Sequence, residues 1–228
     1  RGDPDGKAAR EVVQTINVLA SALSVTDARS EISRLNETGS AALSEETAAL
    51  LAASLELSRR TDGAFDPTVY PLVRLWGFTG ETQAVPGSAE LQRALAAVGT
   101  GNVLQSGQNV TLRNGAMLDF GGIAKGYAAE KCAKLLEAAG IEAALLSLGG
   151  NVQTVGTKPD GSAWAVGIAD PENPTQAIAT LTFTGSLALV TSGGYQRYFE
   201  EDGVRYHHIL DPKTGYPARS GLASVMIL

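Results

Sequence analysis

The chain has 228 residues, 44% of them apolar and 18% charged, a composition that excludes intrinsic disorder and leaves ample material for a buried core. A formal net charge of −6 and a pI near 5.0 exclude a general nucleic-acid binder, whose affinity for phosphate needs clustered Lys and Arg. No apolar run reaches the roughly 20 residues that cross a bilayer, and the length suits one large domain or two small intertwined ones.

Arg1 to Gly6 reads as a polar lead-in without an initiating methionine, so the lack of a targeting segment is uninformative. Val12, Val13, Ile16, Leu19, Ala20 and Leu23 trace one face of a helix. A second helix follows Ser30, with Ser30 and Ser33 as local caps and Thr38-Gly39 ending it. Asn36 has no evident structural task in it. Ser44 caps a third helix with Glu45 and Glu46 in its positive first turn, Leu51 and Leu55 inward, and Arg59 and Arg60 at its negative end. Asp62 to Thr68 holds two acids, a glycine and a proline, an ordered turn in which Asp66, preceding Pro67, is extended. Leu72, Leu75, Trp76 and Phe78 read as core or pocket wall. Ser88 caps a short helix with Leu91, Leu95 and Val98 inward, stopped by Gly99.

The stretch around which the chain is organised is Asp119-Phe120-Gly121-Gly122-Ile123-Ala124-Lys125-Gly126-Tyr127. It joins an extended apolar run (Val110, Leu112, Met117, Leu118) to a helix whose face carries Ala128, Cys132, Leu135, Leu136 and Ala139, with Gly140 as terminator. A glycine pair entering a helix leaves N–H groups uncovered at its positive end, which suits an anion such as a phosphate. Lys125 adds a positive charge, and Asp119 is placed to accept hydrogen bonds or to orient a metal-bound group. The plainer reading is a tight strand-to-helix turn with Asp119 as its cap. The glycine spacing is not that of a dinucleotide fingerprint, and no P-loop occurs. Cys132, the only cysteine, lies on the apolar helix face and reads as a buried thiol.

The second half is richer in strands. Ala143 to Leu148 is an apolar run turned by Gly149-Gly150-Asn151; Trp164, Val166 and Ile168 alternate, as do Leu181 and Phe183. Leu187 to Val190 leads into Thr191 to Tyr195. Tyr206 to Leu210 reads as a strand opening into the turn Asp211-Pro212-Lys213-Thr214-Gly215, with Asp211 as a turn former. His207 faces away from His208. Helices packed on antiparallel-leaning sheet make the class α+β.

Five segments in order, Ser30–Asn36 (S-E-I-S-R-L-N), Gly63–Thr68 (G-A-F-D-P-T), Asp119–Tyr127, Leu148–Asn151 (L-G-G-N) and His208–Gly215 (H-I-L-D-P-K-T-G), resemble the ApbE family of FAD-dependent FMN:protein transferases. The resemblance runs from about Val13 to the end and implies one ApbE-type domain over residues 1–228, a T-fold-like arrangement with the ligand site between two halves. It implies transfer of FMN from FAD to a Thr or Ser hydroxyl of a target flavoprotein, with AMP released and magnesium required. FAD hydrolysis to FMN and AMP is the nearest enzyme alternative, and a flavin-binding module without catalysis is the alternative of another class. Members resembling this chain sit on the extracytoplasmic side of bacterial membranes, commonly as lipoproteins, so any membrane attachment is expected through an N-terminal lipid anchor outside this chain.

Position by position, the resemblance implies FAD contacts at Asn36, Ala64, Phe65, Asp66, Asp119, Lys125, His208 and Leu210, and a metal ligand in the Gly122 carbonyl. His208 is the candidate for proton transfer, since a free imidazole titrates near ~6.5. Leu75, Trp76 and Phe78 are expected as apolar walls for the flavin. Two departures stand beside these matches. The Met-Gly-Thr strand that opens the relatives is absent, and the Asp and Thr or Ser metal ligands expected after Leu228 lie beyond the chain. The expectation is therefore a core fragment with most of its magnesium shell missing, because magnesium wants several oxygens in near-octahedral order.

Overall fold

The structure is a computed structural model that describes residues 2–228. In chain order, helix α1 spans Lys7–Leu23, α2 Glu31–Thr38, strand β1 Ser40–Ala42, α3 Glu45–Arg60, α4 Tyr70–Leu75 and α5 Ser88–Ala97. A 3-10 turn at Thr100–Asn102 precedes β2 (Val103–Ser106) and β3 (Asn109–Leu112), and α6 covers Ala124–Ala138. The remainder is strand: β4 Ala143–Leu148, β5 Asn151–Gly156, β6 Trp164–Ala169, β7 Ala177–Phe183, β8 Ala188–Gly193, β9 Tyr198–Glu201, β10 Val204–His207 and β11 Ser224–Ile227. Every pairing between these strands is antiparallel. No helix among the described residues is long and apolar enough to cross a membrane.

The helix ends follow local chemistry. Ser30 Oγ accepts from the Ser33 N–H at 2.8 Å and Ser44 Oγ from the Thr47 N–H at 3.3 Å, each satisfying a donor that the first helical turn leaves open. Gly39 closes α2 at φ 74°, and Gly140 follows α6 at φ 73° with Ile141 N–H returning to Leu136 O at 3.0 Å, a left-handed close that favours glycine. Ser88 differs from expectation. It is the first helical residue of α5, and Gly87 holds the cap position without a side-chain bond.

The chain divides into two compact units. One takes the chain up to Leu19, Lys125–Gln196 and Gly221–Leu228. It contains the four-stranded sheet β11-β8-β5-β4 and the hairpin β6-β7. Its core joins Ala8 and Val12 of α1 to Cys132, Ala133 and Leu136 of α6 and to Val155 of β5. The thiol of Cys132 is buried as expected, and burial pushes its pKa up. Two expected inward residues are not inward. Val13 is 57% exposed and Ala139 is exposed, because the contact stripes of these helices are narrower than their apolar stripes. β11 is the sheet's edge strand, and its Val225 and Ile227 are exposed.

The other unit takes Ala20–Ala124 and Arg197–Ser220. Its sheets are β1-β3-β2 and β10-β9. Ala20 is exposed. The core gathers Leu72, Trp76, Phe78, Leu91 and Leu210. Trp76 is its hub: its ring lies 5.4 Å from Tyr206, 5.6 Å from Tyr216, 6.2 Å from Phe199 and 6.5 Å from Phe78. Such offset and edge-on ring pairs add to simple area burial. The indole N–H donates to Gly215 O at 2.8 Å, satisfying the one polar atom that burial would otherwise strand. Trp76 is wholly buried and Phe78 is 4% exposed, so Trp76 corrects the expectation of a flavin wall: its faces are taken by protein.

Candidate functional site

Eight of the nine expected site residues lie in the second of these units, and Lys125 lies in the other. The turn after α3 is built by its own side chains. Ala64 N–H donates to Thr61 O at 3.0 Å and Phe65 N–H to Thr61 Oγ1 at 3.2 Å. Asp66 Oδ1 then accepts both the backbone N–H (2.8 Å) and the hydroxyl (2.6 Å) of Thr68. The Thr68 hydroxyl oxygen accepts in turn from Gly99 N–H at 2.7 Å. Thr68 is fully buried and Asp66 is 9% exposed, so this chain of bonds is an internal strut. Ala64 is exposed beside it, and Phe65 is half-buried.

The strut is carried to the central stretch through the backbone. Asp119 N–H donates to Pro67 O at 2.8 Å, and Val69 forms a parallel bridge with Met117. Asn36 completes the mount. Its Nδ2 donates to Leu118 O at 2.9 Å while its Oδ1 accepts from Leu118 N–H at 2.7 Å. Asn36, which shows no structural task in the sequence, therefore clips the residue preceding Asp119 with both of its side-chain polar atoms.

At the turn itself, Asp119 Oδ1 accepts from Gly121 N–H, as the plainer reading requires. Neither glycine has a left-handed φ, and the space beside each is tight. A methyl group on Gly121 would come within 2.8 Å of Asp119 Oδ1, and one on Gly122 within 3.0 Å of the Phe65 ring. Burial pushes the Asp119 carboxyl above its ordinary value, while the Gly121 N–H and the charge of Arg197 pull the other way. A carboxylate held in a poorly solvated place with a single backbone donor retains acceptor capacity for a ligand.

Arg197 is the residue that sequence reasoning missed. Its guanidinium donates to Phe78 O, and its carbonyl accepts the His208 backbone N–H at 3.0 Å and lies 3.0 Å from His208 Nδ1. The charge of Arg197 also acts on Asp119. The only signal for it is that Arg197 is the one Lys or Arg between Lys158 and Arg205, which is too weak to single it out. Past His208, the Leu210 side chain is buried in the Trp76 core, so its expected contact with a ligand falls to its backbone. Asp211 is the turn former expected of it, with Oδ1 on Lys213 N–H and its carbonyl on Gly215 N–H, both at 2.8 Å. Lys213 Nζ reaches Asp62 Oδ2 at 3.3 Å, tying this turn to the one that carries Asp66.

In the other unit, Lys125 is exposed in the first turn of α6, with Nζ 3.5 Å from Gly149 O in the L-G-G-N turn. The metal expectation fits less well. Among the described residues no group of three or more His, Cys, Asp or Glu is arranged to hold an ion. The Gly122 carbonyl would be one oxygen of the six that magnesium prefers.

Comparison with known proteins bears on the whole arrangement. The chain is 36% identical over 205 residues to the FAD:protein FMN transferase of Vibrio cholerae, covering 87% of this chain and 61% of that protein. It is 38% identical over 195 residues to the FAD:protein FMN transferase of Treponema pallidum, covering 78% of this chain and 54% of that protein. It therefore spans about three fifths of the length of these curated relatives, or less. The crystal structure of the ApbE protein from Thermotoga maritima superposes with a TM-score of 0.92 at 38% identity, over 98% of this chain and 74% of that one. The flavinyl transferase ApbE from Pseudomonas stutzeri gives 0.84 at 33% identity, over 96% and 70%. The model of the ApbE family matches residues 3–228, and the chain belongs to that family.

Proposed function

We propose that this chain binds FAD and that the full-length protein transfers the FMN part to the hydroxyl of a Thr or Ser on a target flavoprotein, releasing AMP in a magnesium-dependent reaction. The observation that supports the reading is the Asp119 carboxylate, which has one backbone donor and is mounted by Asn36 and the Asp66–Thr68 strut, in a chain whose relatives bear the name FAD:protein FMN transferase. In the step proposed, the acceptor oxygen attacks the phosphorus on the FMN side of the diphosphate. A new P–O bond forms as the bridging P–O bond breaks, and its electron pair leaves with AMP. The hydroxyl proton passes to the His208 imidazole.

The other residues bind and orient. Asp119 accepts from the ligand, and Asn36 and the Asp66–Thr68 strut hold the backbone that presents it. Ala64 and Phe65 offer an exposed edge beside Gly122. Lys125 opposes the charge that develops on the diphosphate. Magnesium, when bound, neutralises the same charge; the Gly122 carbonyl is the one ligand proposed for it here. We further propose an extracytoplasmic site of action, with lipid anchoring as in many members, on family resemblance alone. Cell fractionation tests that point.

Mass spectrometry of a candidate acceptor after incubation with the full-length protein, FAD and magnesium is the decisive assay. A mass gain equal to FMN without the displaced water supports transfer. Free FMN and AMP with an unmodified acceptor would instead make the chain an FAD pyrophosphatase. Flavin binding without either product would make it a binding module. In a fluorescence titration FAD should bind more tightly than NAD or ATP compete, and equal competition by ATP would overturn the flavin assignment.

A further inference from the structure

The chain has two histidines, His207 and His208, adjacent in sequence. Their rings meet two different carbonyls through two different nitrogens. His208 Nδ1 lies 3.0 Å from Arg197 O, and His207 Nε2 lies 3.1 Å from Ala218 O. A carbonyl oxygen can only accept, so the nitrogen facing it carries the proton. His208 is thereby the Nδ1-protonated tautomer, with its lone pair on Nε2, and His207 is the reverse. The other ring nitrogen of His207 agrees, since Nδ1 is buried without a hydrogen-bond partner. A proton there would be a buried donor with nothing to receive it, which is costly.

We propose that Arg197 is a positioning residue that holds His208 in the Nδ1-protonated tautomer, its carbonyl bonding the ring while its guanidinium ties the segment to Phe78. Four contacts act together. The His208 backbone N–H and Nδ1 both address the Arg197 carbonyl. The Arg197 guanidinium donates to the Phe78 carbonyl. The Phe78 ring stands edge-on to the imidazole, at 6.4 Å and 71°. The imidazole is thus held by a carbonyl on one residue and a ring on another, and Arg197 links the two. The charge of the same guanidinium acts on Asp119, while it is the Arg197 backbone carbonyl that bonds His208.

What the tautomer is for rests on the flavin-transfer reading: a lone pair on Nε2 is the form that can take a proton from an acceptor hydroxyl. The tautomer itself does not rest on it, and the two are tested separately. With the chain labelled by 15N-histidine, a long-range proton–nitrogen spectrum above the imidazole titration resolves both rings. His208→Ala assigns them. One ring protonated on Nδ1 (His208) and one on Nε2 (His207) is expected. Arg197→Ala should replace the single His208 signature with a tautomer mixture and leave His207 unchanged, whereas Arg197→Lys, which keeps a cation and a donor for Phe78 O, should preserve it. Should Arg197→Ala not fold, Arg197→Met, similar in reach but without donors, takes its place with the same outcomes. His208 protonated on Nε2 in the unaltered chain, or an unchanged His208 signature in Arg197→Ala, would overturn the inference. Undiminished FMN transfer by His208→Ala would instead sink the role of His208 in the reaction and leave the tautomer standing.

Discussion

Two turns in the same unit each hinge on an aspartate and teach different things. At Asp66 one carboxylate oxygen is engaged by the protein: Oδ1 takes the N–H and the hydroxyl of Thr68, and the Thr68 oxygen accepts from Gly99 N–H. At Asp119 the carboxylate has one backbone N–H from Gly121, sits where burial raises its pKa, and has only the charge of Arg197 as a compensating partner. The first is a strut through Oδ1. The second is an acceptor with one backbone donor, held in place by others.

The largest expected effect breaks the strut. Asp66→Ala strands two buried donors of Thr68 and should lower unfolding free energy by roughly 2–4 kcal/mol, measured by urea denaturation. Asp66→Asn, which keeps an acceptor at Oδ1, should cost much less. If the two variants are equally stable, the strut is not what holds this turn. Next in size is ligand affinity at the other turn. Asp119→Ala should weaken FAD binding by about 10- to 150-fold, the loss of a hydrogen bond to a charged group at roughly 1.5–3 kcal/mol, with the fold intact. Unchanged affinity with reduced thermal stability would leave Asp119 as a cap and nothing more.

A third measurement sharpens the contrast through pH. Because burial raises the folded-state pKa of Asp119 above its ordinary 3.8, the native state binds this proton more tightly than the unfolded chain does. The stability it contributes is full below 3.8 and is lost as pH rises through the folded value. Asp119→Asn should therefore raise Tm at neutral pH and flatten that part of the pH–stability curve, the opposite sign to Asp66→Ala. A lower Tm for Asp119→Asn at neutral pH would contradict it. The smallest effect is expected at the tie between turns. Asp62 is fully exposed in its pair with Lys213, and surface pairs of this kind contribute little. Asp62→Asn, tolerated at φ 51° by a residue type that accepts left-handed backbone, should leave Tm unmoved.

Much of the fold is legible in the amino-acid order. The caps at Ser30 and Ser44, the stops at Gly39 and Gly140, and the turn at Gly149-Gly150 between β4 and β5 all involve residues a few positions apart. Periodicity marks α1 and α6 but overstates their buried faces, as exposed Val13 and Ala139 show. It cannot tell an apolar residue that meets a neighbour from one that meets solvent. Of the site, the positions of Asp66, Asp119 and His208 are legible by motif. What each side chain does there is not: Asn36 is engaged by Leu118, 82 residues away, and Trp76 by Gly215, 139 residues away.

What the sequence alone determined is therefore short-range: where helices begin and end, which turns are ordered, and, through five spaced motifs, the ApbE family. These follow from bonds closed within about five residues and from repeats of 3.6 and 2. The tertiary structure decided which polar groups are spent and which are spare. A side chain's hydrogen-bonding capacity is finite, and whether it is filled depends on backbone atoms brought close from distant parts of the chain, as the Arg197 carbonyl is brought to His208 and the Leu118 backbone to Asn36.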